Sequence, residues 1–487
     1  MHNRRFAAAL RRRRRFVYYI LLAAAMFVSA VSARAFQAHR DHSRLSFIVS
    51  DAKGYYVYLP SAFIDGDLDF SNQMIATWGK ELDPDDFDLT RRTATGLVPD
   101  KYPIGMALTL LPAFTIAHGF TLAADHISAN PAFIADGYSP PYQLLCLALI
   151  LALACATMMM MDVLIEQHFR LDGRAIALGI IAFWIGSHYA WYSFREPFMV
   201  HVVSAFWVTA TVFLCVVIRR EAIEAATVRP RHVALLGLCF AMACICRPTN
   251  IFIAPFLIWT LTSVFRMGLV GKLARAMPLA VLVALVPLVL QLVTWHILYG
   301  SWFHYGYEDE RFVWAHPALL QTLFSLEKGL FVWTPLLLLA MAGLLWRHNG
   351  ILDGERRGFI VCGLISATIL WYLNSSWWCW GFGWSFGGRA FLELAAIFIV
   401  GLALAFHWAI HQPPLARRLV GGLVVVLIVY NYVLMGLYQC GVIDRGGGLT
   451  GGWTIEGAPR RELAKLEQKV RALHPVHPPA QQARSDP

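Results

Sequence analysis

One carboxylate and one lysine stand out in the first long polar stretch of a very apolar chain. Asp51 opens Asp51-Ala52-Lys53-Gly54-Tyr55-Tyr56-Val57-Tyr58-Leu59-Pro60, and Lys101 opens Lys101-Tyr102-Pro103-Ile104-Gly105. A carboxylate in a tight pocket takes a proton from a hydroxyl. A lysine beside a bilayer holds a phosphate as a point charge. Each also has a structural reading: Asp51 as a solvated loop acid, and Lys101 as a cation snorkelling to lipid headgroups.

Further candidates lie downstream. Arg195 and Glu196 precede Pro197, where the glutamate would favour a helix N-terminus. Tyr189, Trp191, Tyr192 and His201 crowd the same stretch. Arg247 heads Arg247-Pro248-Thr249-Asn250. Arg389 closes a run in which Trp377, Trp378, Trp380 and Trp384 interleave with Gly381, Gly383, Gly387 and Gly388. Arginine grips phosphate in two-pronged fashion. Tryptophans among glycines make a shaped surface for a ligand, with Trp380 and Trp384 as the candidate contacts, where a lone Trp would be an interfacial belt residue. Asp65, Asp67 and Asp69, and then Asp83, Asp85, Asp86 and Asp88, are acidic enough for a divalent cation but lack an EF-hand's glycine and closing glutamate.

These residues need elements to place them, and composition says which. Of 487 residues 58% are hydrophobic and 15% charged, with mean hydropathy +0.54. Repeated apolar runs of about 17–25 residues are transmembrane helices. The net charge of +10 therefore reflects basic loops, not nucleic-acid binding. The nine cysteines form no CxxC pair or His/Cys cluster, so no zinc site or disulfide framework is indicated.

Apolar segments fall at roughly 16–36, 104–123, 141–163, 173–193, 197–218, 232–247, 250–265, 276–298, 330–346, 357–374, 389–410 and 418–440. Arg11 to Arg15 precede the first, which is long for a signal peptide and reads as a retained anchor. The links 219–231, 266–275, 347–357 and 417–418 are basic and read as cytoplasmic. Parity then leaves 104–123, with its Pro112 and His118, as a juxtamembrane helix on the outer face. The expected protein is all-α and polytopic, with about 11 crossings, the N-terminus inside and the candidate residues outside. Residues 1–440 form the membrane domain, with an outer loop at 37–140. Residues 441–487 form a tail, with a short amphipathic helix over 460–473 and a Pro-rich end.

In this order, the pieces resemble the GT-C fold of glycosyltransferases that use lipid-phosphate-linked sugars, near the lipid A aminoarabinose transferases and protein O-mannosyltransferases. Asp51 matches that family's first-loop acid. Lys101-Tyr102-Pro103-Ile104 matches its Lys/His-Pro-Pro-Leu-like helix start, with one proline in place of two. Glu196 matches its second outer acid, with Glu in place of the more usual Asp. Tyr55 to Pro60 and the Trp/Gly run ending at Arg389 look like a bacterial branch. The large soluble outer domain of some members has no counterpart.

The resemblance implies a bacterial inner-membrane enzyme that moves a sugar from a polyprenyl-phosphate donor to a lipid, glycan or protein acceptor on the outer face. It implies Asp51 as base, Lys101 with Arg247 or Arg389 on the phosphate, and Glu196 orienting Lys101 or the acceptor or helping to bind a metal. Tyr55, Tyr56, Arg195 and His201 would line the site. A lipid or sugar transporter would instead show mid-membrane charges and repeat symmetry. A polysaccharide polymerase or ligase of similar architecture would use a diphosphate-linked donor.

Overall fold

The computed structural model describes residues 2–40, 43–78, 92–127, 131–307, 310–346, 352–444 and 449. Asp83, Asp85, Asp86 and Asp88 and the tail helix at 460–473 lie outside these residues. Among the described residues the chain is helical and has no strand beyond one isolated bridge, Phe312 with Trp377.

The helices are α1 (His2–Arg40), α2 (Ala52–Pro60), α3 (Ser71–Trp78), α4 (Gly105–Ile127), α5 (Pro140–Leu164) and α6 (Gly173–Gly186). They continue with α7 (His188–Phe194), α8 (His201–Ala225), α9 (Pro230–Cys246), α10 (Ala254–Arg266), α11 (Val270–Tyr299) and α12 (Leu319–Phe324). The last are α13 (Leu330–Trp333), α14 (Leu336–Leu345), α15 (Gly354–Ser376), α16 (Ala395–Ile410) and α17 (Pro414–Gln439). Their boundaries follow local chemistry. Asp172 accepts from the Arg174 N–H to cap α6, and Asp353 accepts from the Arg356 N–H to cap α15. Prolines start α5, α9 and α17, where a missing N–H costs nothing.

Among the described residues nine helices are long and apolar enough to cross a membrane. The number is ten if α6 and α7, bent by 66° at Ser187, form one span. α9 and α14 are apolar but shorter. The chain is a multi-pass membrane protein. α16 is its central helix, with 94% of its apolar window buried, whereas α11 and α17 are mostly exposed and offer apolar side chains to lipid.

Polar contacts divide the bundle into two ends. At one end, Arg15 of α1 grips Asp162 of α5 through two bonds of 2.6 and 2.7 Å. Arg219 of α8 meets Glu355 of α15 at 2.9 Å, Arg356 donates to the His168 carbonyl at 2.9 Å, and Lys272 of α11 donates to the Ala226 carbonyl at 2.7 Å. These are the links that the sequence marks as basic. At the other end, Arg34 of α1 donates to the Arg195 carbonyl at 2.8 Å, Asn374 of α15 to the Ala390 carbonyl at 3.0 Å, and the Ala318 N–H to the Ser375 carbonyl at 2.7 Å. Among the described residues, Asp51, Lys101, Glu196, Arg247 and Arg389 lie at or near this second end.

By length and composition α4 qualifies as a span. Its contacts give a different picture. A Cβ at Gly105 would fall 2.5 Å from the Cys246 nitrogen, at the second end of α9, so this close approach requires glycine. Thr109 accepts from the Trp207 indole at 2.9 Å, and His118 pairs with the Tyr142 hydroxyl at 2.6 Å at the start of α5. Phe114 packs on Tyr142 and Phe120 on Phe133. α4 thus begins and continues among the chain segments of one end.

This generates a test by impermeant thiol labelling, in a background with Cys379 and Cys440 replaced by serine. Cysteines at positions 124 and 303 should label from the same side of the membrane, and cysteines at positions 171 and 268 from the opposite side. Labelling of position 124 together with position 171 would mean that α4 crosses.

Candidate functional site

Asp51 is delivered by a strained turn. Ser50 adopts φ 53°, a left-handed conformation that few non-glycine residues take, and Asp51 then sits at the N-cap of α2. From 338 residues away, Arg389 donates to Asp51 at 2.8 Å. Arg389 emerges from a turn in which Gly387 takes φ 62°, just before a 3-10 turn leads into α16. Burial alone would raise the Asp51 carboxyl. Arg389 and Lys101, with a hydrogen bond from Tyr102, outweigh burial and hold it below the usual carboxylate range. It is ionised at neutral pH.

Two further cations stand close by, each with its own acid. Lys101 Nζ lies 2.6 Å from Glu310 Oε1, with the Tyr102 and Tyr307 rings at 5.6 and 5.5 Å. Arg247 Nη1 lies 2.9 Å from Glu393 Oε1 and 3.2 Å from His201 Nδ1, and His201 Nδ1 lies 3.1 Å from the same Glu393 oxygen. Tyr55 faces this group. Its ring centroid is 4.4 Å from that of Tyr102. Burial first, and Tyr307 next, push its hydroxyl well above the ordinary range, with Arg247 and Arg389 opposing. The structure therefore brings Asp51, Lys101, Arg247, Arg389, His201 and Tyr55 into one region.

The structure places other candidates apart from this group. Tyr56 points away from the direction of Tyr55, because successive helical residues diverge by about 100°. It is fully buried, its hydroxyl donates to the Gly137 carbonyl at 2.7 Å, and it packs on Phe114, Tyr138 and Phe198. It is a core residue. Arg195 is buried and meets Gln37 of α1 at 3.5 Å, so it belongs to the α1–α7 junction.

Burial pushes the Glu196 carboxyl up and Arg389 chiefly opposes that. Lys101 already has Glu310. Within the Trp run, Trp384 is 67% exposed and Trp380 half-buried. Trp377 and Trp378 reach the site instead: Trp377 packs on Tyr307 at 5.4 Å and Trp378 donates its indole N–H to Glu310 at 3.2 Å.

Four neighbours of this group were not singled out in the sequence. Glu310 and Tyr307 sit in a loop read only as aromatic and outward-facing. Glu393 is a carboxylate within an apolar span, which is itself a signal of a paired or functional group. Lys328 is almost completely buried and donates to the Ser385 carbonyl at 2.7 Å, and burial lowers its pKa to about 8.

Among the described residues no three His, Cys, Asp or Glu side chains stand close enough to hold a metal ion. Asp65, Asp67 and Asp69 serve their own turn, accepting from Asn72, Ser61 and Ser71 respectively at 3.0, 3.0 and 2.6 Å.

The chain matches no protein-family model, no curated protein and no solved structure. The site's own geometry must therefore carry its interpretation. What that geometry offers is an ionised carboxylate among cations, able to take a proton beside a bound anion.

The placement of Lys101 depends on Asp100, which yields a pH prediction. Asp100 is 2% exposed and accepts the Tyr102 N–H at 3.1 Å. Burial raises its pKa from 3.8 to about 8. The folded state thus keeps a proton that the unfolded chain loses. This contribution to stability is fully present below the unfolded value and is lost as pH rises through about 8. Unfolding midpoints in detergent at about pH 5 and about pH 9 should fall more for wild type than for Asp100→Asn. Equal falls would show that Asp100 does not carry the effect.

Proposed function

We propose that this protein is a membrane glycosyltransferase that moves a sugar from a polyprenyl-phosphate carrier to a hydroxyl-bearing acceptor. The observation that carries the reading is the ionised Asp51 held 2.8 Å from Arg389, with Lys101 and Arg247 near it, at one end of an apolar bundle. A transfer between a lipid phosphate and a hydroxyl needs these two kinds of group side by side: cations for the phosphate and a carboxylate for the proton. The order of the motifs matches the GT-C resemblance.

An apolar cavity of about 580 Å³ adjoins this region, lined by Leu59 of α2, Phe63 just beyond it, Ile104 just before α4, Leu108 and Leu111 of α4 and Val293 of α11. Tyr58, also in its wall, donates its hydroxyl to the Tyr102 carbonyl, the residue after Lys101. A hydrocarbon chain in this cavity would bring its phosphate towards Lys101.

In the reaction, the acceptor oxygen forms a bond to the anomeric carbon as the bond from that carbon to the phosphate oxygen breaks. The electron pair leaves on the phosphate, where Lys101, Arg247 and Arg389 offset the charge. The acceptor proton passes to Asp51. Arg389 contacts Asp51 at 2.8 Å, and a phosphate that draws off this guanidinium raises the basicity of the carboxylate. Attack in line inverts the anomeric centre. Glu196 adds a second carboxylate to the field of Arg389.

The two-ended arrangement of contacts supports 11 crossings, with α4 along one face and α9 and α14 each crossing despite their length. The basic end is cytoplasmic by the positive-inside rule, which puts the site on the outer face of a bacterial inner membrane. The acceptor is a lipid, glycan or protein.

The test is transfer from a radiolabelled polyprenyl-phosphate sugar by purified protein in an envelope extract. Asp51→Asn should lower turnover roughly 100- to 10,000-fold per mole of folded protein. Asp67→Asn should match wild type. Normal turnover in Asp51→Asn would remove Asp51 as the base.

A further inference from the structure

The three cations of the site are each neutralised by an acid, but not equivalently. Arg247 and Glu393 are 17% and 0% exposed, on helix ends of the bundle itself. Arg389 and Asp51 are joined in the catalytic pair. Lys101 and Glu310 are 35% and 23% exposed, the most accessible of the three pairs when both partners are counted.

Glu310 also differs in how it is held. It lies on the connection between α11 and α12. The Trp378 N–H donates to the Arg311 carbonyl at 3.1 Å, and Phe312 bridges to Trp377, so this stretch is fastened to the end of α15. One carboxylate oxygen receives Lys101 at 2.6 Å, and the other receives the Trp378 indole at 3.2 Å. Near Lys101, a Cβ at Gly306 would fall 2.8 Å from the Lys101 carbonyl oxygen, so the same connection lies directly on the lysine's backbone. A carboxylate carried on this strap therefore occupies the lysine that the proposed phosphate needs.

We propose that Glu310 is a built-in competitor: a carboxylate resident on Lys101 that the phosphate of an incoming lipid must displace. The inference rests on the reading of the site as one for a lipid phosphate. Binding exchanges one charge-assisted hydrogen bond on Lys101 for another. Glu310 thus keeps the lysine neutralised at the membrane surface, where unrelated anionic headgroups are abundant, and yields it only to an anion that also engages Arg389 and Arg247. The Trp378 indole sets how firmly the competitor is held.

The experiment is binding of dodecyl phosphate, a simple lipid phosphate, to the full-length protein in maltoside micelles. Glu310→Gln should bind it roughly ten-fold more tightly than wild type, the scale of one charged hydrogen bond. Trp378→Phe, which keeps both charges and loosens only the carboxylate, should tighten binding by a smaller factor. Lys101→Gln should weaken binding roughly ten-fold. The double variant Lys101→Gln/Glu310→Gln should match Lys101→Gln, because the competitor acts only through the lysine. Unchanged or weaker binding by Glu310→Gln, with wild type binding normally, would overturn the inference and make Glu310 a prop for Lys101. No saturable binding by wild type would overturn the lipid-phosphate reading itself, and this inference with it.

Discussion

The contact between Asp51 and Arg389 is the constraint on which the site depends. The two residues are 338 positions apart, one beyond the first helix and one before the central helix, and they meet at 2.8 Å. Neither could be left alone at a partly buried position, since an unpaired charge there costs several kcal/mol. Their pairing fixes the first long loop against the turn that leads into α16. It also decides the ionisation of Asp51, because without the guanidinium and Lys101 burial would drive the carboxyl up rather than down.

The same rule shapes the rest of the molecule. Charges in an apolar bundle are tolerated only when paired, so the polar contacts collect at the two ends and leave the middle to apolar side chains. At one end they act as clasps between helices, as Arg15 with Asp162 and Arg219 with Glu355 show. At the other they enclose a group of acids and cations around Tyr55, Tyr102 and Tyr307. The first arrangement tolerates any well-formed pair. The second gathers carboxylates and three cations beside an apolar cavity, and the proposed function rests on that arrangement. That difference separates a structural end from a chemical one.

Much of this was legible in the sequence, for physical reasons. Runs of apolar residues and basic links report spans and their relative ends directly, because lipid and surface potential impose them. Asp51, Lys101, Arg247 and Arg389 were recognisable because each polar group stood near a span boundary. What failed was direction and partnership. Nothing in Tyr55-Tyr56 says which ring faces the site until α2 is docked. Arg195 resembles Arg247 in sequence but faces α1. Glu310 was hidden in a loop whose path depends on backbone bonds to the end of α15. Glu393, four residues beyond Arg389, was the missed signal that could have been found, since an acid within an apolar span demands a partner. For α4, length and hydropathy allow a crossing, whereas parity in the sequence and its contacts with one end of the bundle argue for the outer face.

The central claim is that this end of the bundle holds a lipid phosphate. The most direct test is a cryo-electron microscopy map of the protein in a lipid nanodisc with added polyprenyl phosphate. The account predicts phosphate density in contact with Lys101, Arg247 and Arg389, and chain density in the cavity between α4 and α11. A lipid phosphate bound elsewhere, with Arg389 still on Asp51 and the cavity empty, would contradict it.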